Sequence, residues 1–434
     1  MMRVVELFCG AGGMSLGLIK AGMTIQRAYD NSSQALDVHR FNIRKAQKRL
    51  RKIRLHELRE MTVINDSGEA TIIPLPSHAV YRDLADLPLI VPEIIQLRPD
   101  VITAGPPCQD FSRANQKRKE GPRAGLTVGF AIVVALAKPK YFIMENVKDA
   151  AKSNAHANAM LVFRQAGYGI TTRVLDCSRY GAATKRERLI VVGCLGEDDD
   201  FIGEHLDAAA TKRQLTVMDV LGPRFGKTFG KKRGKLYWCS PGGTGSSGSR
   251  RVDQPAPTLM KSSTARPGPN YQRRKKDVKN VNRLPVPTAK QWSVIQGFPP
   301  DWNWRGSGTT AFSKMLANSV PPPLAEALGR CIIAHSRGEQ PNIARRVPDH
   351  FKEWLSERYQ GKHLQDRLTR FQTVQQMIGN RVTGSADKTI GLLDRHPASA
   401  SLSSQQKTRL KEVLRLYEEC VMDCIELRLP PYDG

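Results

Sequence analysis

The 434-residue chain has no long hydrophobic run. Its longest clearly apolar stretch, "FAIVVALA" (130–137), is far too short to cross a bilayer as a helix. No targeting segment shows at the start, because "MMRVVELFCGAGG" runs straight into what reads as a core strand. The eight cysteines are irregularly spaced and include no C-x-x-C pair. That argues against a disulfide framework or a zinc site, so no metal is expected, and it fits the reducing cytoplasm. Acids are scarce as well. Asp and Glu number 41 against 67 Lys and Arg, a net charge of +26. Such a surplus favours a polyanionic partner, nucleic acid before membrane, through counterion release. A soluble protein with a merely cationic surface is the plainer alternative.

What is present alternates. "RVVELF" (3–8) reads as a strand, "GMSLGLIKAG" (13–22) as a helix, "TIQRAYD" (24–30) as a strand and "SSQALDVHRFN" (32–42) as a helix capped by Ser32 or Ser33. The strands "DVITAG" (100–105), "KYFIMENV" (140–147), "ITTRVLD" (170–176) and "ERLIVVGCL" (187–195) follow, with a helix near 155–167. This alternation predicts an α/β fold with a mainly parallel sheet covered on both faces. A basic insert (43–80) interrupts it; its front half puts Ile43, Ala46, Leu50 and Ile53 on one helical stripe. Residues 197–282 are rich in Gly, Ser, Lys and Arg with interleaved aromatics, and read as short strands and long loops. Helices return at 288–298 and 321–338, and the last hundred residues read as mostly helical.

Three groups of residues carry chemistry. In "ELFCGAGG" (6–13), Gly10, Gly12 and Gly13 let the backbone turn tightly between a strand and a helix. The spacing is not the G-x-G-x-x-G fingerprint and no P-loop lysine follows, so a plain turn remains an alternative. Asp30, ending the second strand, and Asp83 in "YRDL" place two acids around that loop, which suits an adenosine-type ligand without polyphosphate, S-adenosylmethionine first. Next, Pro106 and Pro107 end a strand and present Cys108 on a stiff turn, although a buried inert thiol is the commoner fate of cysteine. Glu145, leaving an apolar strand in "ENV", should emerge on the same sheet edge and needs a partner or a job. Arg186 and Arg188 alternate with other charges, so both can point to one side; ordinary surface arginines are the alternative.

Taken together, "FCGAGG", "PPCQDFS", "ENV", "TKRER", "RLPVPTAKQWSVIQGFPPDW" (283–302) and "ANSVPP" (317–322) stand in the order of the cytosine-5 DNA methyltransferases, and residues 3–335 resemble that family. The resemblance implies a doubly wound mixed, mainly parallel sheet of the class I S-adenosylmethionine-dependent methyltransferase type, Rossmann-like, with a smaller loop-rich target-recognition domain. It implies a catalytic domain over 1–196, target recognition over 197–282 and closing motifs over 283–335; the helical extension 336–434 lies outside it. Cys108 would be the nucleophile, Glu145 would hold or protonate N3 of the base, and Arg186 and Arg188 would anchor its O2. Phe8, Gly10, Gly12, Gly13, Asp30, Asn31, Asp83, Leu84, Gly105, Pro107, Leu126, Asn318 and Ser319 would line the cofactor. Residues 109–125 would form a mobile catalytic loop, in which Gln109, Ser112, Arg113 and Arg123 meet DNA, joined by Thr258 and Leu259 of "DQPAPTLM".

Three positions depart from the family pattern: Thr184 stands for the usual Gln, Asn31 for a frequent aromatic and Ala317 for Gly. The function so implied is methyl transfer to C5 of a flipped cytosine in one short duplex sequence. The enzyme would act as a cytoplasmic monomer on the DNA of a bacterium or phage, nucleoid-associated if bacterial, with a cognate restriction endonuclease acting separately. The alternatives are a transfer-RNA cytosine-5 methyltransferase and a catalytically silent DNA-binding homologue.

Overall fold

A computed structural model describes residues 1–51, 61–64, 70–73, 78–107, 124–229, 233–241, 247–268, 270–341, 349–378 and 386–426. The chain forms two compact units, Met1–Pro341 and Asn342–Gly434. The first begins β1 (Arg3–Leu7), α1 (Gly13–Lys20), β2 (Thr24–Asp30), α2 (Ser33–Arg51), β3 (Met61–Ile64), β4 (Ala70–Ile73) and β5 (Ala79–Tyr81). It continues α3 (Leu87–Leu97), β6 (Val101–Ala104), α4 (Gly125–Ala137), β7 (Tyr141–Val147), α5 (Asn154–Gln165), β8 (Tyr168–Asp176), β9 (Thr184–Lys185) and β10 (Glu187–Leu195).

Seven of these strands form one sheet in the order β5-β2-β1-β6-β7-β10-β8. Every pairing is parallel except those of β10, which runs against both β7 and β8. Period-two side-chain alternation explains why both faces are covered. Val4, Val101, Ile143 and Ile190 pack into one core, while Val5, Ile102, Met144 and Leu189 pack into the other. Strand order reverses between β1 and β6. The crevice beyond the C-terminal ends of those strands is where doubly wound sheets take ligands.

Helix α2 is longer than the expected 32–42. Ser32 caps it by accepting from the Ala35 N–H (3.3 Å), and Ile43, fully buried, carries the apolar stripe into the core, so the helix takes in the front of the basic insert. Leu50 lies where side chains are not described, and Ile53 lies outside the described residues. The β3–β4 hairpin was not legible in the sequence.

Beyond β10, two short helices, α6 (Gly203–Ala209) and α7 (Val217–Leu221), precede β11 (Lys227–Thr228), β12 (Lys235–Trp238), β13 (Ser249–Arg251) and β14 (Ala256–Pro257). Strands β11, β12 and β13 make a small antiparallel sheet, and β14 pairs with β9. Asp277 organises this loop-rich stretch. Its buried carboxylate accepts from the Ser247 hydroxyl, the Gly248 and Ser249 N–H groups (2.8 and 2.9 Å), the Tyr271 hydroxyl (2.7 Å) and the Arg274 N–H (2.8 Å). Those donors hold its carboxyl well below the usual range against the opposing effect of burial.

The unit closes with α8 (Ala289–Ile295), α9 (Thr309–Asn318) and α10 (Pro322–Ser336). The second unit holds α11 (Asp349–Arg358), α12 (Gly361–Ile378), α13 (Ala386–Arg395) and α14 (Ser404–Glu426) around a core of its own that includes Phe351, Phe371, Leu410 and Cys420.

Candidate active site

The glycine loop starts where β1 stops. Phe8 and Gly10 are left-handed (φ 57° and 50°), as is Gly12 (φ 93°), so the chain turns out of the sheet and into α1 within a few residues. A Cβ on Gly10 would meet nothing within 4 Å, so the loop borders open space there. Asp30, at the end of β2, accepts from the Gly10 N–H (2.8 Å) and the Ser32 N–H (2.8 Å). Burial pushes its carboxyl up, opposed by these N–H groups. Gly13 carries the closest approach: a Cβ there would lie 2.1 Å from the Val320 carbonyl oxygen, so α1 packs directly on the Ser319–Val320 backbone. Ser319 is buried, and its carbonyl accepts from Gln296 Nε2 (3.0 Å), while Asn318 beside it is exposed. Asp83 is exposed next to buried Leu84, and Leu126 is half-buried in α4.

Across the crevice, β6 ends at Ala104, and Gly105, Pro106 and Pro107 leave it without regular structure. Cys108, Gln109, Ser112, Arg113 and Arg123 lie outside the described residues. Glu145 stands near the end of β7. The reversal of β10 brings the start of that strand to the same edge, with Arg188 opposite Val147. Arg188 Nε reaches Glu145 Oε1 at 2.8 Å, and each residue is 8% exposed. Glu145 Oε2 would lie 3.4 Å from a Cβ on Gly105, which sets this ion pair beside the segment leading to Cys108. Arg186, at 2%, is more deeply buried still, and its carbonyl accepts from the Cys177 N–H (3.0 Å). These are not surface arginines; a carboxylate and two guanidiniums are held in a water-poor edge where charge interactions are strong.

Part of the loop-rich stretch joins this edge. Thr258 donates from Oγ1 to the Lys185 carbonyl (3.0 Å), and Leu259 is buried in the core. Sequence reasoning missed the polar group under the glycine loop: Ser15 hydrogen-bonds both the Glu6 carboxyl and His39 Nε2 (2.9 Å for the latter). The available signal was Glu6 itself, a charge inside "RVVELF".

A doubly wound sheet with a glycine loop at its switch point and an acid ending the next strand defines a class I S-adenosylmethionine-dependent methyltransferase fold. The C-5 cytosine-specific DNA methylase model matches residues 2–66 and 81–334, and the chain belongs to that family. Type II methyltransferase M.HindV of Haemophilus influenzae is 31% identical over 336 residues, covering 76% of this chain and 96% of the relative. Type II methyltransferase M.HgiDI of Herpetosiphon aurantiacus is 32% identical over 340 residues, covering 77% and 95%. Among solved structures, S. pombe Dnmt2 methyltransferase shares the fold with a TM-score of 0.53 at 17% identity, over 77% of this chain and 99% of that one. A putative DNA modification methyltransferase encoded within an E. coli prophage does so with a TM-score of 0.52 at 20% identity, over 78% and 100%.

Proposed function

We propose that this chain methylates C5 of a cytosine flipped out of duplex DNA at one short sequence, using S-adenosylmethionine, as the modification enzyme of a Type II restriction–modification pair. The observation that carries the reading is the buried Glu145–Arg188 ion pair beside the strand end that leads through Pro107 to Cys108. C5 of cytosine is a poor nucleophile. The Cys108 thiolate adds to C6, which makes C5 enamine-like, and Glu145 protonates or holds N3 as negative charge grows on the ring. Arg186 and Arg188 donate to the base's O2, and Arg188 also holds the Glu145 carboxylate in place. When bound, S-adenosylmethionine supplies an electrophilic methyl sulfonium. Loss of the C5 proton and breaking of the Cys108–C6 bond then free the 5-methylcytosine and the thiol. The residues around the crevice suit that cofactor: the backbone at Gly10 borders open space, so the Phe8–Gly13 turn would face it, Asp30 would offer its carboxylate to ribose hydroxyls, and Asp83 would take the adenine amine. Asn31, Leu84, Gly105, Pro107, Leu126, Asn318 and Ser319 complete the lining.

Residues 197–282 read the target, with Gln109, Ser112, Arg113 and Arg123 closing on the DNA from the catalytic loop and Thr258 and Leu259 near the flipped nucleotide. The enzyme works as a monomer in the cytoplasm, and its cognate endonuclease acts separately. Among the described residues no helix is long and apolar enough to cross a membrane.

The test is transfer of labelled methyl from S-adenosylmethionine to unmethylated plasmid and, separately, to unmodified transfer RNA, beside a Cys108→Ala control. Label in DNA that vanishes in the control is the expected outcome. Label in RNA alone, or none in either, overturns the reading.

A further inference from the structure

Thr184 occupies a junction that neither its residue type nor the family pattern would suggest. It is fully buried. Its carbonyl accepts from the Arg186 N–H (2.9 Å), so its backbone position fixes where the chain of that arginine begins. Its Oγ1 donates to the Pro257 carbonyl (3.1 Å), in strand β14 of the loop-rich stretch. One residue on, the bond is returned: Thr258 Oγ1 donates to the Lys185 carbonyl (3.0 Å). The intervening ladder is short. Strands β9 and β14 pair in parallel over Ala256↔Thr184 and Pro257↔Lys185, flanked by a bond from the Ala256 N–H to the Ala183 carbonyl (2.8 Å). A proline has no N–H to give such a ladder, and a two-residue parallel pairing is weak. The two threonine hydroxyls supply what the backbone lacks there.

We propose that Thr184 and Thr258 form a reciprocal cross-brace that transmits the placement of the target-reading segment to Arg186, making Thr184 a positioning residue for the base-holding arginine. The inference rests on the methyltransferase reading above. A misread site shifts Pro257 and Thr258, and the brace carries the shift into the Thr184 backbone and so into Arg186. Site recognition and rate are thereby coupled without any contact between Thr184 and DNA.

The test compares wild type, Thr184→Val, Thr184→Ser, Thr258→Val and the Val/Val double variant. Each is assayed on a duplex bearing the mapped methylation site and on one altered by a single base pair. Thr184→Val keeps shape and loses the hydroxyl. It should lower kcat on the true site by about three- to tenfold, the worth of one hydrogen bond, and narrow the preference for that site. The KM for S-adenosylmethionine should not move, a split that general loosening of the fold would not give. Thr184→Ser, which restores the donor, should return to within about twofold of wild type, and the double variant should lose less than the two single losses combined. Thr258→Val, on the more exposed side, repeats the test should Thr184→Val fold poorly. An active wild type with Thr184→Val unchanged in rate and preference, with Thr184→Ser equally impaired, or with strictly additive losses overturns the brace alone. A wild type inert towards DNA overturns the functional reading and this inference with it.

Discussion

Glu6 is a carboxyl on a strand that is otherwise apolar, 3% exposed, and burial pushes its pKa up to about 8 against the pull of the Ser15 hydroxyl. His39, on the other side of Ser15, is held well below its usual value by burial and by the neighbouring His78 and Arg40. Gly12 rests on that histidine: a Cβ there would lie 3.0 Å from the ring. The network therefore underlies the glycine loop. Its pH behaviour has a definite sign. A carboxyl raised in the folded state binds a proton that the unfolded chain has released, so its contribution is whole below about 4.5 and is lost as pH rises to about 8. His39 acts oppositely below 6.5, where only the unfolded chain takes up a proton. Thermal melts of wild type and Glu6→Gln across pH 5 to 9 should show their stability difference shifting against wild type up to about pH 8 and then levelling. Parallel curves would contradict this. Charge on a core strand was visible in "RVVELF"; that Ser15 and His39 converge on it was not, since nothing local brings three separate elements together.

At the scale of elements, α1 and α10 meet through small residues. A Cβ on Gly13 or Gly17 would strike the Val320 or Pro322 carbonyl oxygen, and one on Gly329 would strike Ala21. Gly13→Ala thus forces α1 away from the Ser319–Val320 backbone, at about 1–3 kcal/mol of overpacking. Calorimetric titration should show S-adenosylmethionine binding at least about tenfold weaker, a shift of about 1.4 kcal/mol. Unchanged affinity would mean that the loop does not depend on this contact. Much of the element level was legible. The strands "TIQRAYD" and "ERLIVVGCL" have the expected bounds, because apolar runs between polar ends leave little choice. The direction of β10 was not, since alternation looks the same read either way, and that direction is what puts Arg188 beside Glu145. The small helices α6 and α7, of seven and five residues, are too short to show a helical period, and α7 is set by a Thr216–Asp219 capping box.

For the whole molecule, charge is distributed unevenly. Of the 67 Lys and Arg and 41 Asp and Glu, 15 and 12 fall in residues 342–434, which leaves 52 against 29 in residues 1–341. The surplus that suits a polyanion lies almost wholly in the unit that carries the site, and the family match stops at residue 334, short of the second unit. A chain ending at Pro341 should keep methyl transfer and the salt dependence of DNA binding, read as the slope of log affinity against log salt. Loss of turnover in a folded, truncated chain would assign the second unit a part in catalysis. The cysteines, finally, offer a way to follow one thiol. Cys9, Cys177, Cys194, Cys239, Cys331 and Cys420 are all buried, and burial pushes the thiols of the first five upward, two of them to about 12. The other two of the eight, Cys108 and Cys424, have side chains outside the described residues. An alkylating reagent added to the native protein meets a quiet background, and after Cys424→Ser its rate of uptake becomes a direct gauge of how exposed and how ionised the proposed nucleophile is.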